Sequence, residues 1–163
     1  MLPDAGMTAR YLQDILIDKI GEILKDMLFT RSDGADVAGA QGYKQSLPVF
    51  LSDEDDMDTV FPYYIVRMQN GKLTGDDGPW TITVAVVFGI YDSDEETNGH
   101  EAILGMIQRV IDYFYTYPLL GNFRAQADGM EWQLQDEDTF PYYFGAVSLK
   151  FDAPIPERID DYS

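Results

Sequence analysis

The chain has 163 residues, 29 acidic and 11 basic side chains for a net charge of −18, and no cysteine. A chain of this size buries about 68–70% of the surface its unfolded form exposes, and it does so without disulfides, thiolate catalysis or cysteine metal sites, all of which the composition excludes. The bases are spread from Arg10 to Arg158 with no block among them, which argues against tight binding of DNA, RNA or an anionic membrane surface. Two readings of the acidity fit: it keeps an aromatic-rich protein in solution, or it meets a basic partner or lines a passage through which nucleic acid slides without adhering.

The opening residues, to about Met7, contain Pro3 and Gly6 and read as a flexible tail with no secretion-signal pattern. The longest apolar run, Val84 to Tyr91, is far below the roughly 20 residues that span a bilayer, so the expectation is a soluble intracellular protein. From Thr8 to Phe29 the spacing predicts a helix. Leu12, Leu16, Ile20, Ile23 and Met27 form its apolar stripe, with Ile15, Leu24 and Leu28 beside it.

Residues Arg31 to Ser46, with Gly34, Gly39 and Gly42 among small side chains, read as a long flexible loop that either binds something or is simply disordered. After a short extended piece from Leu47, the acidic run Asp53 to Asp58 reads as a solvated connection. A strand is predicted from Phe61 to about Met68. Asn70-Gly71 marks a turn that opens a flexible arm over 69–79.

Trp80 to Tyr91 alternates strictly, with Trp80, Ile82, Val84, Val86, Phe88 and Ile90 on one side, and predicts a long central strand with that side in the core. The acidic turn Asp92 to Glu96 ends it. Asn98 and Glu101 then have the spacing of a capping box for a helix whose stripe is Ile103, Ile107, Val110, Phe114 and Tyr117, stopped by Pro118. Leu119 to Gly129 reads as irregular, and MEWQLQ as a strand with Met130, Trp132 and Leu134 inward. A last strand runs to about Phe151, followed by an extended tail over 152–163.

FPYY occurs twice, at Phe61 to Tyr64 and Phe140 to Tyr143, each time after acids and before an apolar strand. Either two strands need the same start, with aromatic rings covering a sheet end, or the two starts lie side by side and make one sticky patch.

Motifs for chemistry are sparse. His100, the single histidine, begins a helix without a nucleophile elbow near it, which fits a surface role. Asp92 and Asp94 fit the first two places of a calcium loop, but Thr97 stands where glycine is required and Ile103 where the bidentate glutamate is required. Gly71-Lys72 is followed by Leu73, so no phosphate loop is present. No catalytic, cofactor or metal residue is assigned, and the expectation is a protein that is not an enzyme and needs no cofactor.

Three stretches, FPYYIVRM, VFGIYDSDEETNGHEAILGMIQRVIDYF and QLQDEDTFPYYFGAVSLKF, resemble small proteins of tailed-phage and prophage structural clusters, the tail-terminator and tail-completion group that includes the lambda tail terminator. The resemblance runs from about Leu47 to Ile155 and is one of pattern and element order. It implies a virion component assembled in the host cytoplasm: a subunit of a closed, commonly hexameric ring at the head-proximal end of the tail, touching its own copies, the tail-tube protein and a neck or head-completion protein. Such a ring joins unlike patches, and the candidates here are Tyr63, Tyr64, Tyr142 and Tyr143 together with the arms around Gly39 and Gly75. The alternatives are another neck adaptor or, from a different class, an acid-dependent or metal-assisted hydrolase, which requires a concave pocket holding two close carboxylates.

The expected fold is a single α+β domain of order α-β-β-α-β-β. A mainly antiparallel or mixed four-stranded sheet carries both helices on one face.

Overall fold

The computed structural model describes residues 8–49, 57–96 and 98–156. The expected tail over 1–7, most of the acidic run from Asp53, and the tail beyond residue 156 lie outside the described residues.

The chain is α+β, and its sheet is larger than expected. Seven strands, not four, form a mixed sheet, and a separate two-stranded sheet sits beside it. In chain order the elements are α1 (Ala9–Leu24), β1 (Leu28–Thr30), β2 (Asp36–Ala38), β3 (Gln41–Lys44), β4 (Tyr63–Leu73), β5 (Trp80–Tyr91), α2 (His100–Thr116), β6 (Leu119–Leu120), β7 (Phe123–Ala125), β8 (Glu131–Leu134) and β9 (Tyr142–Ala153). A 3-10 turn at Met57–Val60 precedes β4. The large sheet runs β3-β4-β5-β9-β7-β6, with β8 also on β9; β3 and β4 are parallel and the other pairs antiparallel.

β5 lies between β4 and β9 and pairs with β9 along its whole length, from Trp80 with Ala153 to Tyr91 with Tyr142. Its alternation sends Ile82, Val84, Val86, Phe88 and Ile90 into the core, where they meet Leu12, Leu16, Ile20 and Leu24 of α1 and Ile103, Met106, Ile107, Val110 and Phe114 of α2. Both helices therefore pack on one face of the sheet. Each of these buried apolar side chains contributes about 1.5–3 kcal/mol relative to exposure. Trp80 departs from the expectation: it ends the strand and is 40% exposed, with Leu73 as its only strand neighbour besides Ala153.

α1 starts where the sequence places it. Thr8 caps it by accepting a hydrogen bond from the Tyr11 N–H at 3.2 Å. It ends at Leu24 and not at Phe29, because the chain is taken up by a different partner. The Met27 carbonyl accepts the Gly39 N–H at 2.7 Å, and Leu28–Thr30 pairs with Asp36–Ala38. Leu28 is consequently 78% exposed. α2 begins at His100 with Gly99 as its cap and no side-chain cap bond, so the expected Asn98–Glu101 box is replaced by backbone bonds from Glu101 to Asn98 and Ala102 to Gly99. Tyr117 falls just past the helix and is exposed.

The stretch Arg31 to Ser46, expected as a loop, contains β2 and β3, and β3 extends the large sheet beside β4. Its end is fixed by the side chain of Gln13, a buried polar residue of α1. The Gln13 Nε2 donates to the Val66 carbonyl and to Gln45 Oε1, both at 2.9 Å, while Gln45 Oε1 accepts the Met68 N–H at 2.7 Å.

β4 runs through Asn70-Gly71 with an irregularity between Met68 and Asn70, so the expected turn there is strand. The connection to β5 is a tight tip over 74–79, closed by Thr74 N–H to Pro79 O at 3.2 Å. The segment after Pro118, expected to be irregular, makes the β6–β7 hairpin. Trp132 lies in register with Val147 but on a strand at the margin, where it is 54% exposed and not inward. The tail expected from residue 152 instead continues β9 to Ala153, and the Ile155 side chain then rests on Gly78.

Candidate functional site

The face of the sheet opposite the two α-helices divides into two unlike halves. Registered neighbours share a face, so the pairs Tyr63–Gly89, Ile65–Val87, Val87–Ala146 and Tyr91–Tyr142 define one half, and Arg67–Ala85, Lys72–Thr81, Thr83–Lys150 and Arg124–Asp152 the other.

The first half is aromatic. Phe61 stacks in a tilted arrangement on Tyr142 with ring centroids 4.9 Å apart, and lies 5.1 Å from Tyr63 and 6.0 Å from Phe144; Tyr91 meets Tyr142 edge-on at 5.8 Å. The two FPYY stretches thus come together, as the second reading of the repeat requires. Each Phe–Pro bond is cis, and each proline carbonyl accepts a backbone N–H, Pro62 from Gln41 and Pro141 from Asp92.

The four tyrosines do not share one role. Tyr63 and Tyr64 are 4% and 2% exposed, so they are interior residues and offer no surface to a partner. Tyr63 covers Gly89, where an added Cβ would lie 2.4 Å from the ring, and Tyr64 covers Gly42 at 2.6 Å. Burial pushes the Tyr63 hydroxyl up to about 12. Burial also lifts Tyr64 to about 12, with the nearby Asp18 charge adding to the effect and the Gly21 N–H opposing it, and its hydroxyl donates to the Ile17 carbonyl at 2.6 Å. Tyr143 faces the helices and presses on Gly99. Of the four, Tyr142 alone combines partial exposure with a place on the open sheet face.

Acids surround this aromatic end. The connection Asp92 to Glu96 leaves β5 and Asp136 to Asp138 leads toward β9, and neither contains a base. Both reach the same spot: burial raises the Tyr143 pKa, the Gly99 N–H opposes that, and the negative charges of Asp92, Asp138 and Asp94 raise it further. Within the first connection the carboxylates also brace their own backbone, Asp92 accepting the Asp94 N–H and Asp94 the Glu96 N–H. A cavity of about 530 Å³ beside Val87 and Phe144 is bordered by Asp136 and Glu137, neighbours on one connection. Among the described residues no group of three or more His, Cys, Asp or Glu side chains is placed to hold a metal ion.

The second half of the face is polar and carries Arg67, Lys72, Arg124 and Lys150 between Thr81, Thr83 and Ser148, so four of the eleven bases share a surface that the linear sequence disperses. The acids among them are Asp152, held by the Gln126 amide at 2.5 Å, and Glu131, in register with Ser148. Among the described residues none of the four bases forms an ion pair. The signal that could have found this surface is the period of two in the strands: Lys150 and Asp152 stand on the side of β9 that alternates with Leu149 and Phe151.

Gly39 and Gly75, expected at the tips of two arms, sit differently. Gly39 is buried at φ 77°, wedged where an added Cβ would meet Lys25 Cα at 3.3 Å; Gly75, at φ 72°, stands open at the β4–β5 tip. His100 is exposed at the start of α2. Among the described residues no helix is long and apolar enough to cross a membrane. No protein-family model matches the chain, and no curated protein matches it either.

Proposed function

We propose that this chain is a structural virion subunit, a ring-forming tail terminator or tail-completion protein at the head-proximal end of a phage tail. The resemblance of its three strand-and-helix stretches to that group supplies the setting. The observation that carries the reading is the division of one open sheet face into an aromatic, acid-flanked end and a cationic half.

A closed ring forms from head-to-tail contacts, so each subunit needs two unlike patches that fit each other. Copies carrying −18 charges repel unless acids of one meet bases of the next. Here the acids beyond Tyr91 and the bases beside Thr81 lie ten residues apart along β5, roughly 33 Å at the rise of a strand, far enough to serve two neighbours at once. Tyr142 and Phe61 give the acidic end an apolar anchor of the kind that dominates interface energies. The tail-tube protein and a neck component are the further partners of such a ring. It grips nucleic acid only weakly, because its bases are few and flanked by acids.

Light scattering coupled to size exclusion, over a range of concentrations and with purified tail-tube protein added, tests the proposal. It predicts a discrete ring mass, alone or on the tube. A strict monomer that ignores tube protein contradicts it.

A further inference from the structure

A second feature lies away from that sheet face. A cavity of about 430 Å³ opens between the end of α1, the β1–β2 hairpin and the start of β3. The residues that line it include Lys25, Arg31, Gln41 and Tyr43, whose side chains can all donate hydrogen bonds, and the apolar Val37 and Val60. In a chain with 29 acids, neither Lys25 nor Arg31 forms an ion pair among the described residues. The Arg31 Nε is buried without an acceptor among the described residues, while the backbone of Arg31 is fixed by its bonds with Gly34 and Ala35. A buried guanidinium N–H left unsatisfied costs free energy that an oxyanion placed there recovers.

We propose that this cavity binds a carboxylate of an extended acidic peptide segment from a partner protein. The peptide character follows from what adjoins the cavity. Gln41 and Tyr43 belong to β3, which ends the large sheet and, among the described residues, is hydrogen-bonded by a strand on one side alone. An extended segment adds to such an edge through its main chain while alternate side chains enter pockets beside it, here an acidic one toward Arg31 and Lys25 and an apolar one toward Val37 and Val60. Gly39 holds the cavity wall in place, its N–H bonded to Met27 and its backbone against Lys25. The site does not depend on ring formation.

The test is fluorescence anisotropy with the full chain and a labelled six-residue peptide of alternating Asp and Val. Saturable binding is expected, weakened at least tenfold when Asp is replaced by Asn in the peptide, and weakened about tenfold by Lys25→Gln or Arg31→Gln. Lys25 is exposed, so its substitution leaves the fold intact. Arg10→Gln, at the exposed start of α1 and outside both this cavity and the cationic sheet face, leaves binding unchanged. Binding lost equally in the Arg10 variant reports unspecific attraction and overturns the site. Inorganic phosphate that binds with Arg31 dependence while the peptide does not overturns the peptide as ligand. Peptide binding seen only after Asp53, Glu54, Asp55 and Asp56 are neutralised shows that the chain's own acids fill the cavity, and overturns the proposal as well.

Discussion

The ring of Phe61 lies 4.9 Å from the ring of Tyr142, joining the first residue of one FPYY stretch to the third of the other across β5. Such tilted pairs contribute about 0.5–1.5 kcal/mol beyond the area they bury. A double-mutant cycle with Phe61→Leu and Tyr142→Leu, read from urea unfolding, is expected to return a coupling energy in that range. A coupling near zero would mean that the two starts are neighbours without interacting.

Tyrosine over glycine recurs at this end of the sheet, and the glycines are the sensitive partners. Gly89→Ala puts a methyl group 2.4 Å from the Tyr63 ring and is expected to cost about 1–3 kcal/mol, as overpacking does. Gly75→Ala meets nothing within 4 Å, and its cost is the left-handed backbone alone, about 1–2 kcal/mol. Adding Tyr63→Leu should relieve the first variant and leave the second unchanged; equal relief of both contradicts the contact.

Gln13 ties α1 to the end of β3 through Val66 and Gln45. Gln13→Leu removes both bonds while the Val66 carbonyl keeps the Gln45 N–H and Gln45 Oε1 keeps the Met68 N–H, so the expected loss is the net worth of the two bonds, about 0.5–1.5 kcal/mol each. Hydrogen exchange should show faster opening at Tyr43 and Lys44 than at β5. Unchanged exchange at β3 would show that the strand is held by β4 alone.

Tyr63 and Tyr64 both have folded pKa values lifted from 10 to about 12 by burial. A raised folded value means that the native state holds its proton longer than the unfolded chain. Their contribution is therefore complete below pH 10 and is lost as pH rises through about 12. Denaturant midpoints are expected to fall across that window, less steeply in Tyr64→Phe. A midpoint that stays level to pH 12 in the unsubstituted protein contradicts the burial.

Much of the frame was legible in the residues. β5 and the two helices read true because each is half-buried over many turns or alternations, which writes the period of the element into the sequence. The apolar spacing runs five residues past the end of α1, because Met27 and Leu28 keep the helical period set by Ile20, Ile23 and Leu24 although the Met27 carbonyl is taken by the Gly39 N–H. β1, β2 and β3 were not legible. They are three or four residues long; β1 and β2 pair with each other, and β3, with Gly42 under Tyr64, is held by a partner distant in sequence.

The candidate surface was half visible. The FPYY repeat pointed to the aromatic end, yet it could not distinguish Tyr142, at the open face, from Tyr63 and Tyr64, which fill space above glycines on neighbouring strands. The cationic half needed the register of four strands before Arg67, Lys72, Arg124 and Lys150 became one surface.

The proposed head-to-tail assembly through these two halves is tested most directly by charge reversal. Arg67→Glu with Arg124→Glu disables the cationic half, and Glu95→Lys with Asp136→Lys disables the acidic end, all at exposed positions. Sedimentation velocity on each variant alone and on their equimolar mixture reads the contact. In the mixture of the two variants the reversed patches carry opposite charges and pair with each other while the unaltered patches pair as before, so rings close again; each variant is also mixed with the unsubstituted protein. The account predicts that either variant alone fails to close a ring and that each caps unsubstituted chains into short open oligomers. Variants that alone close rings of the unsubstituted mass, or an unsubstituted protein that never leaves the monomer even with tail-tube protein present, would contradict it.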